Sequence, residues 1–152
     1  MCSSDLAADL VERLQSLGGL QTMEDFAAAR GVYVTPIKTE FRGFDVCECP
    51  PNGQGLTALI LLNILSGFAP DGDPNSVERI HLELEAGRLA YSVRDEMIAD
   101  PDASYVPIEW MLSHSFADQL RAGIDRHRAS NIRPVPAPRF RNPSGKPGCL
   151  II

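Results

Sequence analysis

Residues 56–66 constrain this chain more than any other stretch. Leu56, Leu59, Ile60, Leu61, Leu62, Ile64 and Leu65 leave almost no polar side to a helix of that length, with Gly67 placed to cap it. A helix that is apolar nearly all round must be buried nearly all round, so the remaining residues have to wrap it. The 152 residues, 44% of them hydrophobic, are enough for one core or two small ones. The apolar run Leu59–Leu62 stops at Asn63 and falls far short of the ~20 residues of a membrane helix. No basic region followed by an apolar one marks an export signal.

The wrapping elements follow from periodicity. Leu10, Val11, Leu14 and Leu17 predict an amphipathic helix over 7–17, ended by Gly18-Gly19. Thr22 predicts a short second helix, its hydroxyl accepting an N–H near Asp25, with Gly31 as the stop. Val32–Lys38 and Phe41–Cys49 read as strands of a hairpin whose turn lies around Thr39–Glu40. Asn75 or Ser76 caps a long helix from Val77 to about Ala99. Its broad apolar face is expected to hold Val77, Ile80 and Leu84 together with Leu82, Ala86, Leu89, Val93 and Met97, and to leave Glu85 and Arg88 outside. Asp100-Pro101-Asp102 breaks that helix. Two further helices are predicted over Pro107–Leu112 and Ser115–Ile124, the second with Phe116, Leu120 and Ile124 on one stripe. The fold class is α+β, mainly helical with one β-hairpin.

Few residues offer chemistry. His81, His114 and His127 share no helical face with a carboxylate in a metalloprotease arrangement, and read as surface or capped histidines. Cys47 and Cys49 fit neither a C-x-x-C turn nor a zinc knuckle, and with Cys2 and Cys149 read as reduced thiols in or near a core. Glu78, Glu83, Glu85, Asp95, Glu96, Asp100 and Asp102 read as a solvated face. Arg94 and Asp95 could form a local ion pair that anchors the Asp100-Pro101 loop, but adjacent helical residues point apart, so each would need a separate partner. Pro50-Pro51-Asn52-Gly53-Gln54-Gly55 is a rigid-then-flexible loop, read as a turn rather than a phosphate loop because no Gly-Lys-Ser/Thr follows. No G-x-S-x-G occurs. Nothing implies a cofactor or metal; the expected catalytic, cofactor and metal residues are none.

Charge divides the chain. Residues 126–152 hold Arg126, Arg128, Arg133, Arg139, Arg141 and Lys146, no acid, and five of the 12 Pro. The whole carries −6 and this tail +6, which leaves −12 on residues 1–125 and argues against a nucleic-acid-coating protein. The expected organisation is 1–6 as adapter-derived sequence, 7–125 as the structured part, and 126–152 as a basic, Pro-rich linker or tail.

From Gly18 to Asp125 the chain resembles the gamma-glutamyltransferase (glutathione hydrolase) family. The matching pieces, in order, are Gly18-Gly19-Leu20-Gln21-Thr22-Met23-Glu24-Asp25-Phe26, Phe41-Arg42-Gly43-Phe44, the Pro50–Gly55 loop, Leu62-Asn63-Ile64-Leu65, His81 to Ala90, Arg94-Asp95 and Asp100-Pro101. The Pro-Pro-Asn-Gly-Gln-Gly form looks closer to the bacterial gamma-glutamyltransferase-like branch, which includes oxamate amidohydrolases.

The resemblance implies an N-terminal-nucleophile hydrolase made as one proenzyme with an αββα sandwich. Self-cleavage exposes a Thr as the first residue of the small subunit, and that Thr forms an acyl-enzyme with the amide substrate. The chain matches only the C-terminal part of the large subunit. The linker region holds no Thr, and no known catalytic or substrate residue of the family maps onto this sequence. The implied partners are a small-molecule gamma-glutamyl or related amide and the small subunit of the same precursor, with no nucleic acid and no membrane span. The implied compartment is bacterial cytoplasm or periplasm. The fragment is expected to be inactive alone and to aggregate or stay molten without its sheet partners. The alternative is a stand-alone helical binding module whose basic tail contacts an acidic partner.

Overall fold

The computed structural model describes residues 4–69 and 72–131. They form two compact units, one up to residue 33 and one from Val34 onward. The structure is α+β, six helices and a two-stranded antiparallel sheet.

The first unit holds α1 (Ser4–Ser16) and α2 (Met23–Ala28). The first helix starts earlier than the apolar spacing predicts and ends as expected. Gly18 takes φ +86°, and the Gly19 N–H reaches back to the Leu14 carbonyl at 2.9 Å, closing the helix end. Thr22 and Asp25 cap α2 reciprocally: the Asp25 N–H donates to Thr22 Oγ1 at 3.3 Å and the Thr22 N–H to Asp25 Oδ2 at 2.8 Å.

The second unit opens with β1 (Ile37–Phe41) and β2 (Phe44–Glu48), paired from Ile37↔Glu48 to Phe41↔Phe44. The turn therefore lies at Arg42-Gly43, not at Thr39–Glu40, and 32–36 is not strand. The reason is local. A two-residue hairpin loop of type I′ needs positive φ at both positions, and Arg42 (+53°) and Gly43 (+84°) supply it. A β-branched Thr resists that region, so Thr39 stays in the strand.

Next come α3 (Gly55–Leu65), α4 (Val77–Met97), α5 (Ile108–Met111) and α6 (His114–Arg121). Helix α3 is the centre, packed by the hairpin, α4 and α6. Leu56, Ile60 and Ile64 meet Ala86, Leu89, Ala90 and Val93 of α4, and Met111, Phe116 and Leu120 close the core. Ala58 is the one residue of α3 left exposed, so the all-round burial expected of this helix is what forms. Asn63, its single buried amide, donates Nδ2 to the Leu112 carbonyl at 3.0 Å and accepts from Thr39 Oγ1. Arg121 donates Nη1 to the carbonyls of Asn63 and Ile64 at 2.6 and 3.3 Å, which satisfies the end of α3.

Helix α4 corrects the expected apolar face. Leu82, Ala86, Leu89, Val93 and Met97 are buried, but Val77, Ile80 and Leu84 are exposed, on the far side of the helix. Glu85 is 2% exposed and belongs to the buried arc. No helix among the described residues is long and apolar enough to cross a membrane. Most of the expected tail, with Cys2 and Cys149, lies outside the described residues.

Candidate functional site

Two motifs far apart in sequence meet at the start of α3. Gly55 allows β2 to close on the helix: a Cβ there would fall 2.8 Å from the Cys49 carbonyl. Gln54 then sits at the N-cap without a capping side-chain bond. Its Oε1 lies 3.5 Å from Arg94 Nη1. Arg94 is itself fixed: Nε and Nη2 reach Asp95 Oδ1 at 2.8 and 2.7 Å, and the guanidinium lies 4.4 Å from the Tyr91 ring centroid. The expected local ion pair between Arg94 and Asp95 forms, without the separate partners that adjacent helical positions suggested. Here the long Arg94 side chain bends round the last turn of α4 and pairs with its own neighbour. The arrangement brings the Pro50–Gly55 loop beside the last turn of α4; it contains no nucleophile.

A cleft of about 500 Å³ opens between the hairpin, the end of α3 and the start of α4. Its acids are paired: Glu83 with Arg79 at 2.9 Å, and Glu78 with Arg126 at 3.6 Å. Arg126 also lies 5.7 Å from the Phe68 ring centroid, and Arg42 lies 4.9 Å from that of Phe41.

Glu85 departs from the solvated reading of the carboxylates. Its Oε1 accepts from Arg88 Nη1 at 2.6 Å, and its Oε2 accepts from the Ser130 N–H at 3.0 Å and from the Ser130 hydroxyl. Burial pushes the Glu85 carboxyl up, but the Ser130 hydrogen bonds and the Arg88 guanidinium outweigh it, and the net shift is downward. A hint existed in sequence: Glu85 stands beside Ala86, between Leu82 and Leu89. Its partner Ser130, 45 residues on, had no signal.

The remaining candidates do not converge. His81 Nε2 lies 2.7 Å from the Asp125 carbonyl; a carbonyl only accepts, so Nε2 carries the proton. His114 and His127 are exposed. Among the described residues, no histidine hydrogen-bonds a serine, threonine or cysteine, and no group of three His, Cys, Asp or Glu could hold a metal ion. Cys47 and Cys49 are free thiols but exposed, not in or near a core as expected, because their face of β2 is the exposed one while Val46 and Glu48 are half-buried. Asp100 serves its own turn, accepting the Asp102 N–H at 2.9 Å.

Comparison with known proteins gives this scaffold its relatives. The family model for gamma-glutamyltranspeptidase matches residues 3–146. A glutathione hydrolase-like proenzyme (YwrD) of Bacillus subtilis is 37% identical over 117 residues, which cover 76% of this chain and 22% of that protein. The glutathione hydrolase proenzyme of Escherichia coli is 34% identical, over 85% of this chain and 23% of its own length. Among solved structures, the cephalosporin acylase of Bacillus halodurans is 36% identical with a TM-score of 0.65, over 80% of this chain and 22% of that one. The gamma-glutamyltranspeptidase of Helicobacter pylori, at 24% identity and a TM-score of 0.69, shares the fold over 84% of this chain and 38% of its own. The chain thus spans between a fifth and a quarter of the curated relatives it matches. With nearly its whole length under one family model, the chain belongs to the gamma-glutamyltranspeptidase family.

Proposed function

We propose that this chain is the C-terminal part of the large subunit of a proenzyme amidohydrolase. The enzyme carries out gamma-glutamyl transfer, or hydrolysis of glutathione or a related amide, through a Thr acyl-enzyme. The observation that carries this reading is the family match over residues 3–146, with relatives named as proenzymes that run more than four times as long as their matched part.

In that enzyme the Thr hydroxyl adds to the amide carbonyl and its proton passes to the α-amino base. The C–N bond breaks, the amine leaves with the proton, and water or an acceptor amine releases the acyl group. None of these steps uses a side chain of this segment. Its part is architectural: the hairpin and helices belong to the αββα sandwich, and residues 126–152 form the link toward the cleavage site in the same precursor. An Arg- and Pro-rich link between subunits needs no acidic partner, so the binding-module reading gains no support from family membership. The Pro-Pro-Asn-Gly-Gln-Gly loop and the glutathione hydrolase-like and acylase relatives favour a bacterial branch with its own acyl group.

The test is to produce the full precursor from the locus that encodes this chain, beside a variant whose small subunit begins with Ala instead of Thr. The expected result is self-cleavage into two subunits and turnover of a gamma-glutamyl anilide, oxamate or an acylated cephalosporin. Both are lost in the variant, and the 152-residue chain alone is inert. A precursor that stays uncut and inert on all three substrates overturns the reading, as does turnover by the chain alone.

A further inference from the structure

Three successive turns of α4 each hold one residue of the segment that follows α6. Glu78, His81 and Glu85, spaced three and four apart, lie on one side of the helix. Glu78 pairs with Arg126 at 3.6 Å, His81 Nε2 donates to the Asp125 carbonyl at 2.7 Å, and Glu85 takes the N–H and the hydroxyl of Ser130. The segment also bends to reach them. The Ile124 N–H bonds the Arg121 carbonyl at 3.0 Å, and the His127 N–H bonds Asp125 Oδ1 at 2.8 Å.

The three anchors differ in weight. Glu78 and Arg126 are both about half exposed, and such pairs contribute little. Glu85 is buried, and a buried carboxylate is tolerated only when its oxygens are bonded. Arg88 satisfies one oxygen and Ser130 alone satisfies the other. Lifting the segment off α4 therefore removes both donors to one oxygen of this carboxylate.

We propose that Glu85 is a positioning residue: it pins residues 124–131 along α4 and sets the path of the chain after α6. On the reading above, which this inference deepens, the connection toward the small subunit departs from Ser130 on α4 and not from the end of α6.

The experiment is limited proteolysis of the full precursor with an arginine-specific protease. Arg126 and Arg128 lie between the His81 and Glu85 anchors. The expected result is slow cutting at both in the parent protein, and cutting about tenfold faster in Glu85→Ala and in Ser130→Pro. Ser130→Pro removes both donors without touching the core, so the test stands even if Glu85→Ala fails to fold. Cutting at Arg79 and Arg94, within α4, should not change. Unchanged rates at Arg126 and Arg128 in Ser130→Pro overturn the inference. So does an equal rise at Arg79 and Arg94, the mark of a merely structural role. The cuts are read in the precursor whose nucleophile is replaced by Ala. A failure of the activity reading therefore leaves this result untouched.

Discussion

Asn63 donates its side-chain amide to the Leu112 carbonyl at 3.0 Å, across 49 residues of sequence, while its oxygen accepts from Thr39. One buried amide thus ties the hairpin and the turn after α5 to the central helix. Replacing Asn63 by Leu leaves the Leu112 carbonyl and the Thr39 hydroxyl without this partner. Each stranded group costs about 1–3 kcal/mol, so Asn63→Leu should destabilise α3 by about 2–4 kcal/mol. Adding Thr39→Val removes one of the stranded groups and should recover about 1 kcal/mol of that loss. Native-state hydrogen exchange of the α3 amides in the full precursor measures both. If the two substitutions simply add, the bridge carries no coupling.

Arg121 crosses the open side of Gly67 to reach the end of α3. A Cβ at Gly67 would fall 2.3 Å from Arg121 Nε. Gly67→Ala should therefore push the guanidinium off the carbonyls of Asn63 and Ile64. The lost charged hydrogen bonds are worth about 1.5–3 kcal/mol. Arg121→Met should cost a similar amount, and the double variant no more than Arg121→Met alone. Exchange at the Gly67 and Phe68 amides, which close the helix end, reports the loss. A Gly67→Ala protein as stable as the parent would show that Arg121 relocates freely.

What sequence could reach here was set by range. An apolar run located α3, the 3.6-residue period located α4 and α6, and the Thr22 cap was readable because its partner Asp25 is three residues away. The same period could not choose between the two apolar sides of α4. Leu82-Ala86-Leu89-Val93 and Val77-Ile80-Leu84 both repeat helically, and only packing on α3 decides which is buried. The hairpin was found but its turn misplaced by three residues, because strand propensity in Val32–Thr35 outweighed the positive-φ demand that Arg42-Gly43 meets. The contacts that organise the site, Gln54 to Arg94 and Glu85 to Ser130, span 40 and 45 residues and leave no local trace.

Glu85 also sets a pH dependence. Its net downward shift means that the folded protein binds this proton more weakly than the unfolded chain. Its contribution is complete above the ordinary Glu value of about 4.3 and is lost as pH falls through the lower folded value. Glu85→Gln has no such proton to gain. The stability gap between the parent and Glu85→Gln should be constant above about pH 5 and shrink as the pH is lowered toward 3. Exchange protection of the Ser130 amide, compared between the two proteins across this range, is the measurement. A gap that stays flat down to pH 3 sinks the assignment.

Arg42 holds φ +53° at the first position of the hairpin turn, where side chains other than Asn, Asp and Gly are strained. Its guanidinium over the Phe41 ring offsets only part of that strain, since an exposed contact of this kind is worth about 0.5–1 kcal/mol. Arg42→Asn should therefore leave the hairpin equal or up to about 0.5 kcal/mol more stable. Arg42→Val, β-branched and unsuited to positive φ, should weaken it by about 1–2 kcal/mol. Exchange of the Phe41 and Phe44 amides, which flank the turn, separates the two. The register with its turn at Thr39–Glu40 predicts the opposite order: residue 42 would then be an ordinary strand position, where Val is favoured over Asn.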